Sequence, residues 1–301
     1  MIWCRFDDAR AREASRAVYG LVEDDWVIPV TGDPFCGYER SGRRLPAADL
    51  RLLPPVIPST FFCAGLNYRG HVRRAAYGGH TAVGTGAGGD RGRESPRPGA
   101  GRDGGRESPM PGGSPRGSPV PERPEVGYRA NNALTGHLSP IVRPSDCDEP
   151  LVAEGELVAV IGKPVRHATP EQAKDAVFGW TIGNDVSARG WQRSDRTFWR
   201  CKNSDTFKPM GPYIVTDADP LAATTTVRVD GEVKASFPTG DMLFGPYEYI
   251  SAISRYITLS PGDVLWLGTD ETATVVPGQV VEITIDGIGT LTNPVVEEKL
   301  T

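Results

Sequence analysis

Two Asp-Gly turns, each between alternating apolar and polar residues, constrain this chain most. They lie in TTVRVDGEVKAS (225–236) and VVEITIDGIGTL (280–291), and each predicts a β-hairpin. AVYGLVEDDWVIPV (17–30) reads as two further strands joined at Glu23-Asp24-Asp25, and WTIGND (180–185) as a buried strand ending in polar residues. LRLLPPVIPS (50–59) is broken by prolines and reads as a linker, and TFFCAGLNYRGHV (60–72) as an apolar strand running into a polar loop. Helical signals are few. Thr169-Pro170-Glu171-Gln172 has the form of a capped helix start, with the helix continuing through AKDAVF to Gly179. PYEYISAISRYITL (246–259) has apolar residues at helical spacing behind a proline. Strands do not alternate regularly with helices, so the expected class is α+β, mainly β, and not a doubly wound sheet.

The chain has 301 residues and a net charge of −5, with no basic stripe, which argues against nucleic acid as a partner. No apolar run approaches the ~18 residues of a membrane helix, and the N-terminus MIWCRFDDAR lacks the apolar core of a secretory signal. Five cysteines at irregular spacing, without a CxxC pair, fit reduced thiols in a cytoplasmic protein. Residues from about 78 to 118 differ in kind from the rest. They hold 14 of the 36 glycines, repeat GRESP at 92–96 and 105–109, and have little apolar content, so they read as a disordered surface insertion.

The chemistry concentrates in LVAEGELVAVIGK (151–163). Glu154 and Glu156 point the same way because side chains alternate along a strand. Asp185 ends another apolar strand. If it lies beside the pair, three carboxylates form an all-oxygen site suited to Mg²⁺ or Mn²⁺, with Ca²⁺ possible, and not to zinc. The competing reading is a solvated strand face with salt bridges. The metal reading requires Asp185 near the pair, with no lysine or arginine filling the space among the three. Arg189 and Gln192 follow Asp185 within one or two helical turns. Lys202 lies in a polar loop, where it could neutralise an enolate or hold a substrate carboxylate. His71 follows an apolar strand in a polar segment.

Six stretches occur in order: GLNYRGH, EGELVAVIGK, GNDVSARGWQ, KNSDTFKPMGP, ISRYITLSPGDVLWLGT and VVEITIDGIGTLTNPV. Together they resemble the fumarylacetoacetate hydrolase family over nearly all of 60–301 outside the insertion. The resemblance implies a small N-terminal β region (1–60) and a catalytic domain (61–301) built as a mixed β-sandwich roll, usually in a homodimer. It implies Mg²⁺ or Mn²⁺ on Glu154, Glu156 and Asp185, with Lys202 contacting a bound 2-oxo acid or its enolate. Arg189, Gln192 and Thr269 would lie near the substrate, and His71 would be the base. The expected activity is hydrolysis of a carbon–carbon bond in a small 2-oxo or 1,3-diketo acid. Isomerisation or decarboxylation of a 2-oxo diacid is the alternative within the fold, and a non-catalytic binding protein is the alternative outside enzymes. Three positions depart from the family pattern: Arg74 replaces a glutamate three residues after the histidine, Gly190 an aspartate, and Asp270 a proline. The first bears on water activation, because a carboxylate there would orient the imidazole.

Overall fold

The structure, a computed structural model, describes residues 1–8, 17–77 and 120–299. The glycine-rich stretch expected to be a disordered insertion lies outside these residues. The N-terminal strands are β1 (Ile2–Asp7), β2 (Ala17–Glu23), β3 (Trp26–Asp33), β4 (Gly37–Arg40), β5 (Leu45–Pro46) and β6 (Leu52–Leu53). β7 (Phe61–Ala64), helix α1 (Arg69–Tyr77), β8 (Val126–Tyr128), β9 (Leu134–Thr135), β10 (Ile141–Arg143), β11 (Leu151–Ala153) and β12 (Gly155–Ile161) follow. Next come α2 (Pro170–Lys174), β13 (Val177–Asn184), α3 (Arg189–Gln192), α4 (Trp199–Asn203) and β14 (Lys208–Val215). The chain continues through β15 (Thr224–Val229), β16 (Glu232–Pro238), α5 (Pro246–Ser254), β17 (Val264–Trp266), β18 (Ala273–Val275), β19 (Val280–Ile285) and β20 (Gly289–Glu297).

Among the described residues, thirteen strands form one sheet, ordered β4-β3-β2-β1-β14-β13-β12-β17-β7-β8 with three short strands attached at its sides. A second sheet of five strands, β10-β20-β19-β15-β16, carries both Asp-Gly hairpins. Asp230 and Gly231 both take positive φ, as a two-residue hairpin turn requires. The fold is therefore mainly β, as the sequence leads one to expect.

β12 shows why the acidic strand sits deep. All seven of its residues are buried. Leu157, Ala159 and Ile161 join the core shared with Val227, Ile283 and Leu291 of the five-stranded sheet. Val158 and Val160, on the opposite face, pack with Trp3, Ile28, Phe61, Met210 and Trp266. Apart from Val56 and the adjoining Phe35, this second core is built from strands of the large sheet, so that sheet curls over onto itself. Fully burying an aliphatic side chain stabilises by about 1.5–3 kcal/mol, which anchors β12 firmly on both faces. Gly183 admits the Trp266 ring on the second face, where any Cβ would collide with it.

Four local expectations need correction. Lys202 stands not in a polar loop but on α4. The segment after β7 is not a loop at His71, because α1 begins at Arg69. The helix at Thr169 has the expected reciprocal cap with Gln172 but stops at Lys174. Val177 then enters β13 and pairs with Ile161, so sheet pairing overrides helix continuation. The helix at Pro246 stops at Ser254, short of residue 259. The Ser254 carbonyl accepts from the His167 N–H at 2.9 Å and from Arg166 Nη1 at 2.6 Å, which satisfies the helix end. Among the described residues, no helix is long and apolar enough to cross a membrane.

Candidate active site

β12 and β13 run antiparallel, with Gly155 opposite Asn184. This register brings Asp185, just beyond β13, beside Glu154 and Glu156, and the Asp185 N–H donates to the Glu154 carbonyl at 3.0 Å. Glu154, Glu156 and Asp185 are all buried, and one carboxylate oxygen from each lies within 4.8 Å of the others. The three acids expected to converge do converge.

Among the described residues, four cations surround them. Arg129 forms a two-pronged pair with Asp185, through Nε to Oδ1 and Nη2 to Oδ2, both at 2.9 Å. Lys208, with no exposed side-chain surface, reaches Asp185 Oδ1 at 2.8 Å and also donates to the carbonyls of Val186 and Phe207. Lys202 on α4 spans two acids, with Nζ 2.8 Å from Glu154 Oε2 and 2.7 Å from Asp185 Oδ2. Arg189 on α3 donates to Glu154 Oε1 at 2.6 Å, and that oxygen also accepts from Ser187 Oγ at 2.7 Å. Asp185 thus accepts two charged donors on each oxygen, the full capacity of a carboxylate. The condition that no lysine or arginine fill the space among the acids is not met, because Lys202 lies between Glu154 and Asp185, and this weighs against the metal reading. Lys202 enters because buried carboxylates must be compensated. It pairs with only two of the three. Among the described residues Glu156 has no ion pair, and its Oε2 accepts from the Gly268 N–H at 2.8 Å.

The electrostatics follow this asymmetry. Burial raises the Glu154 pKa, but Lys202 and Arg189 outweigh it and hold the group at about 2. Burial opposes ionisation of Asp185 too, yet Arg129, Lys202 and Lys208 keep it well below the usual range. Glu156 goes the other way: burial first, then the charges of Asp185 and Glu154, push it to about 8. Burial lowers the Lys208 pKa to about 8, with Asp185 opposing. His71 is lowered chiefly by burial, with Glu154 opposing and Arg189, Lys202 and Arg74 assisting. Its ring has no hydrogen bond among the described residues.

The remaining expected residues fall around this centre. Gln192 Oε1 accepts from Arg189 Nη1 at 3.1 Å, so it reaches the acids only through that arginine. Thr269 is buried beside Gly268, and its Oγ1 donates to the Glu271 carbonyl at 2.8 Å. Arg74 and Asp270, two of the three departures from the family pattern, meet. Arg74 Nη2 donates to the Asp270 carbonyl and, at 3.2 Å, to its Oδ1. Sequence reasoning missed Arg129, Lys208 and Ser187. Ser187 was within reach, since it lies two residues after Asp185 in an extended stretch. Lys208 left a fainter signal, as a lysine opening the otherwise apolar run KPMGPYIV. Arg129 left none, being 56 residues from its partner.

The donor set fits a hard divalent ion. It offers oxygen alone, and Glu156 keeps open acceptor capacity with no cation of its own. Asp185 would join such an ion by exchanging one of its present donors for it.

Comparison with known proteins agrees with this geometry. A family model described as "Fumarylacetoacetate (FAA) hydrolase C-terminal" matches residues 60–296, and one described as "Rv2993c-like, N-terminal" matches 1–55. Protein Rv2993c of Mycobacterium tuberculosis is 36% identical over 88% of this chain and 86% of its own length. Oxaloacetate tautomerase YisK of Bacillus subtilis is 35% identical over 58% of this chain and 62% of its own. The crystal structure of 5-carboxymethyl-2-hydroxymuconate delta-isomerase from Mycobacterium smegmatis superposes with a TM-score of 0.77 at 32% identity, covering 99% of this chain and 100% of that one. Six ordered motifs, a curled β fold and a buried carboxylate triad thus agree with a match across most of the chain: the protein belongs to the fumarylacetoacetate hydrolase family.

Proposed function

We propose that the protein is a divalent-metal-dependent enzyme that interconverts the enol and keto forms of a small 2-oxo acid bearing a second carboxylate. The observation that carries this reading is the charge pattern of the centre. A closed salt-bridge network would balance its charges. Here Arg129, Arg189, Lys202 and Lys208 outnumber Glu154, Glu156 and Asp185, while Glu156 has no cation. Such a site calls for two further species, a cation at Glu156 and an anion near the surplus positive charge.

Glu154, Glu156 and Asp185 would hold Mg²⁺ or Mn²⁺, which when bound supplies a Lewis acid for the substrate's oxygens. Lys202 and Arg189 attract the anionic substrate and stabilise negative charge as it grows on the enolate oxygen. In the keto-to-enol direction His71, whose pKa burial lowers, accepts a proton from the carbon next to the carbonyl and delivers it to the enolate oxygen; the reverse direction moves the enol proton from oxygen to carbon. Gln192 holds Arg189 in place, and Thr269 keeps the Gly268 loop against Glu156. Carbon–carbon hydrolysis, the reaction favoured by the sequence reading, asks more of His71. It must activate water, and among the described residues no carboxylate bonds its ring to orient it. Relatives named as tautomerases and isomerases, at 32–35% identity, support the same branch. The reading includes a homodimer, checked by light scattering.

The test uses protein stripped with a chelator and reloaded with Mg²⁺ or Mn²⁺. Enol-oxaloacetate is followed by loss of its ultraviolet absorbance, and acylpyruvates are assayed in parallel. Faster metal-dependent ketonisation with intact acylpyruvate supports the proposal. Acid products from acylpyruvate would replace it with hydrolysis, and carbon dioxide from oxaloacetate with decarboxylation. Metal binding without turnover would indicate a binding protein.

A further inference from the structure

α1 begins at Arg69. The first N–H groups of a helix lack partners within it, and here one partner comes from far along the chain. The His71 N–H donates to Asp270 Oδ1 at 2.9 Å. Arg74, one turn on, binds the Asp270 carbonyl and carboxylate from the same helix and lies 3.8 Å from Glu271 Oε1. Gly70 makes room for this approach, since a Cβ there would collide with the Asp270 carboxylate.

The loop that carries Asp270 also touches the acidic centre. Gly268, at φ +83°, turns its N–H onto Glu156 Oε2, and Asn67, just before α1, donates to the Leu267 carbonyl at 2.9 Å. Asn67 also donates to the Phe244 carbonyl and accepts from the Phe244 N–H. One strap, Leu267 to Glu271, therefore holds Glu156 at one end and the helix of His71 at the other.

From this arrangement we infer that Asp270 is a positioning residue: its carboxylate clamps the first turn of α1, through the His71 N–H and Arg74, and so sets where His71 stands relative to the acidic centre. The inference rests on the proposed reading, in which His71 moves the proton. Among the described residues, Asp270 makes no hydrogen bond or ion pair with the acids or the imidazole. Its effect is therefore on geometry, where a displacement of about 1 Å costs up to ~10²-fold in rate.

The experiment compares wild type, Asp270→Ala, Asp270→Asn and His71→Ala, with metal binding measured by calorimetry and turnover of enol-oxaloacetate resolved into kcat and KM. Asp270→Asn keeps an oxygen to accept the His71 N–H. The inference expects Asp270→Ala to lose about tenfold or more in kcat, with KM and metal affinity unchanged, and Asp270→Asn to recover most of that loss. Wild-type kcat in Asp270→Ala, where His71→Ala is inactive, overturns it. Loss of metal affinity in Asp270→Ala also overturns it, because the strap would then serve the acids and not the helix. Full activity in His71→Ala has a different meaning: it refutes the functional reading itself.

Discussion

Glu156 offers a quantitative test, because its environment opposes its charge while its neighbours favour theirs. In the metal-free protein its pKa stands at about 8, against an unperturbed 4.5. A carboxyl raised in this way leaves stability unchanged below its unfolded pKa and lowers it as pH rises from there to the folded pKa. Below pH ~4.5 folded and unfolded chains both hold the proton, so the group is neutral to stability. From there to about pH 8 the unfolded chain gives up its proton and the folded chain keeps it, which costs about 1.4 kcal/mol per pH unit. By pH 7 the accumulated cost is about 3 kcal/mol.

Glu156→Gln removes that titration while keeping an oxygen that can accept the Gly268 N–H. The metal-free variant should match wild type near pH 4.5 and exceed it by about 3 kcal/mol at pH 7. Denaturant titrations of chelator-treated protein between pH 4.5 and 8 measure the difference directly. Added Mg²⁺ or Mn²⁺ should reverse the order, because an ion that binds only the folded wild type stabilises it in proportion to the logarithm of its concentration over Kd. A stability difference that stays constant across pH would refute the reasoning, as would a variant weaker than wild type throughout.

Glu154→Ala should abolish divalent-metal binding in calorimetry; unchanged affinity would remove Glu154 from the metal site. Lys202→Met should bind the ion at least as tightly as wild type, since Lys202 occupies oxygens of Glu154 and Asp185, yet lose about 10²-fold or more in kcat. Weaker metal binding in that variant would show that Lys202 supports the ion instead of competing with it. Gly183→Ala should lower stability by about 1–3 kcal/mol in denaturant melts, because its methyl group would press into the Trp266 ring; an unchanged midpoint would mean that the curled sheet has slack at that point.

What could be read from the sequence was what alternation and turn chemistry encode locally. The Asp-Gly hairpins, the shared side of Glu154 and Glu156, and the capped start at Thr169 all depend on residues within a few positions of one another. Element ends were misread where the deciding partner lies elsewhere. Residues 175–179 leave the helix because Val177 finds Ile161 in the sheet. α1 was hidden for the same reason: its start is capped by Asp270, 199 residues beyond His71. The cations of the site divide likewise. Lys202 and Arg189 stood out through the motifs around them, whereas Arg129 and Lys208 became visible only when folding brought them to Asp185.

That division bears on why a strand buried on both faces carries acids at all. Removing one partner of a buried ion pair costs about 3–5 kcal/mol, and a well-packed apolar replacement of the whole group is often no less stable. Stability alone therefore gives no reason to gather seven ionisable groups here from β12 and the residue before it, the residue after β13, α3, α4, β14 and the segment after β8. A network kept only to pin these elements together would also close on itself. This one does not close: Asp185 is saturated with donors, while Glu156, a few ångströms away, is left to hold its own proton. On the proposed function, the two charges that would complete this imbalance, one positive at Glu156 and one negative near Arg189 and Lys202, are those of a metal ion and the acid it would polarise.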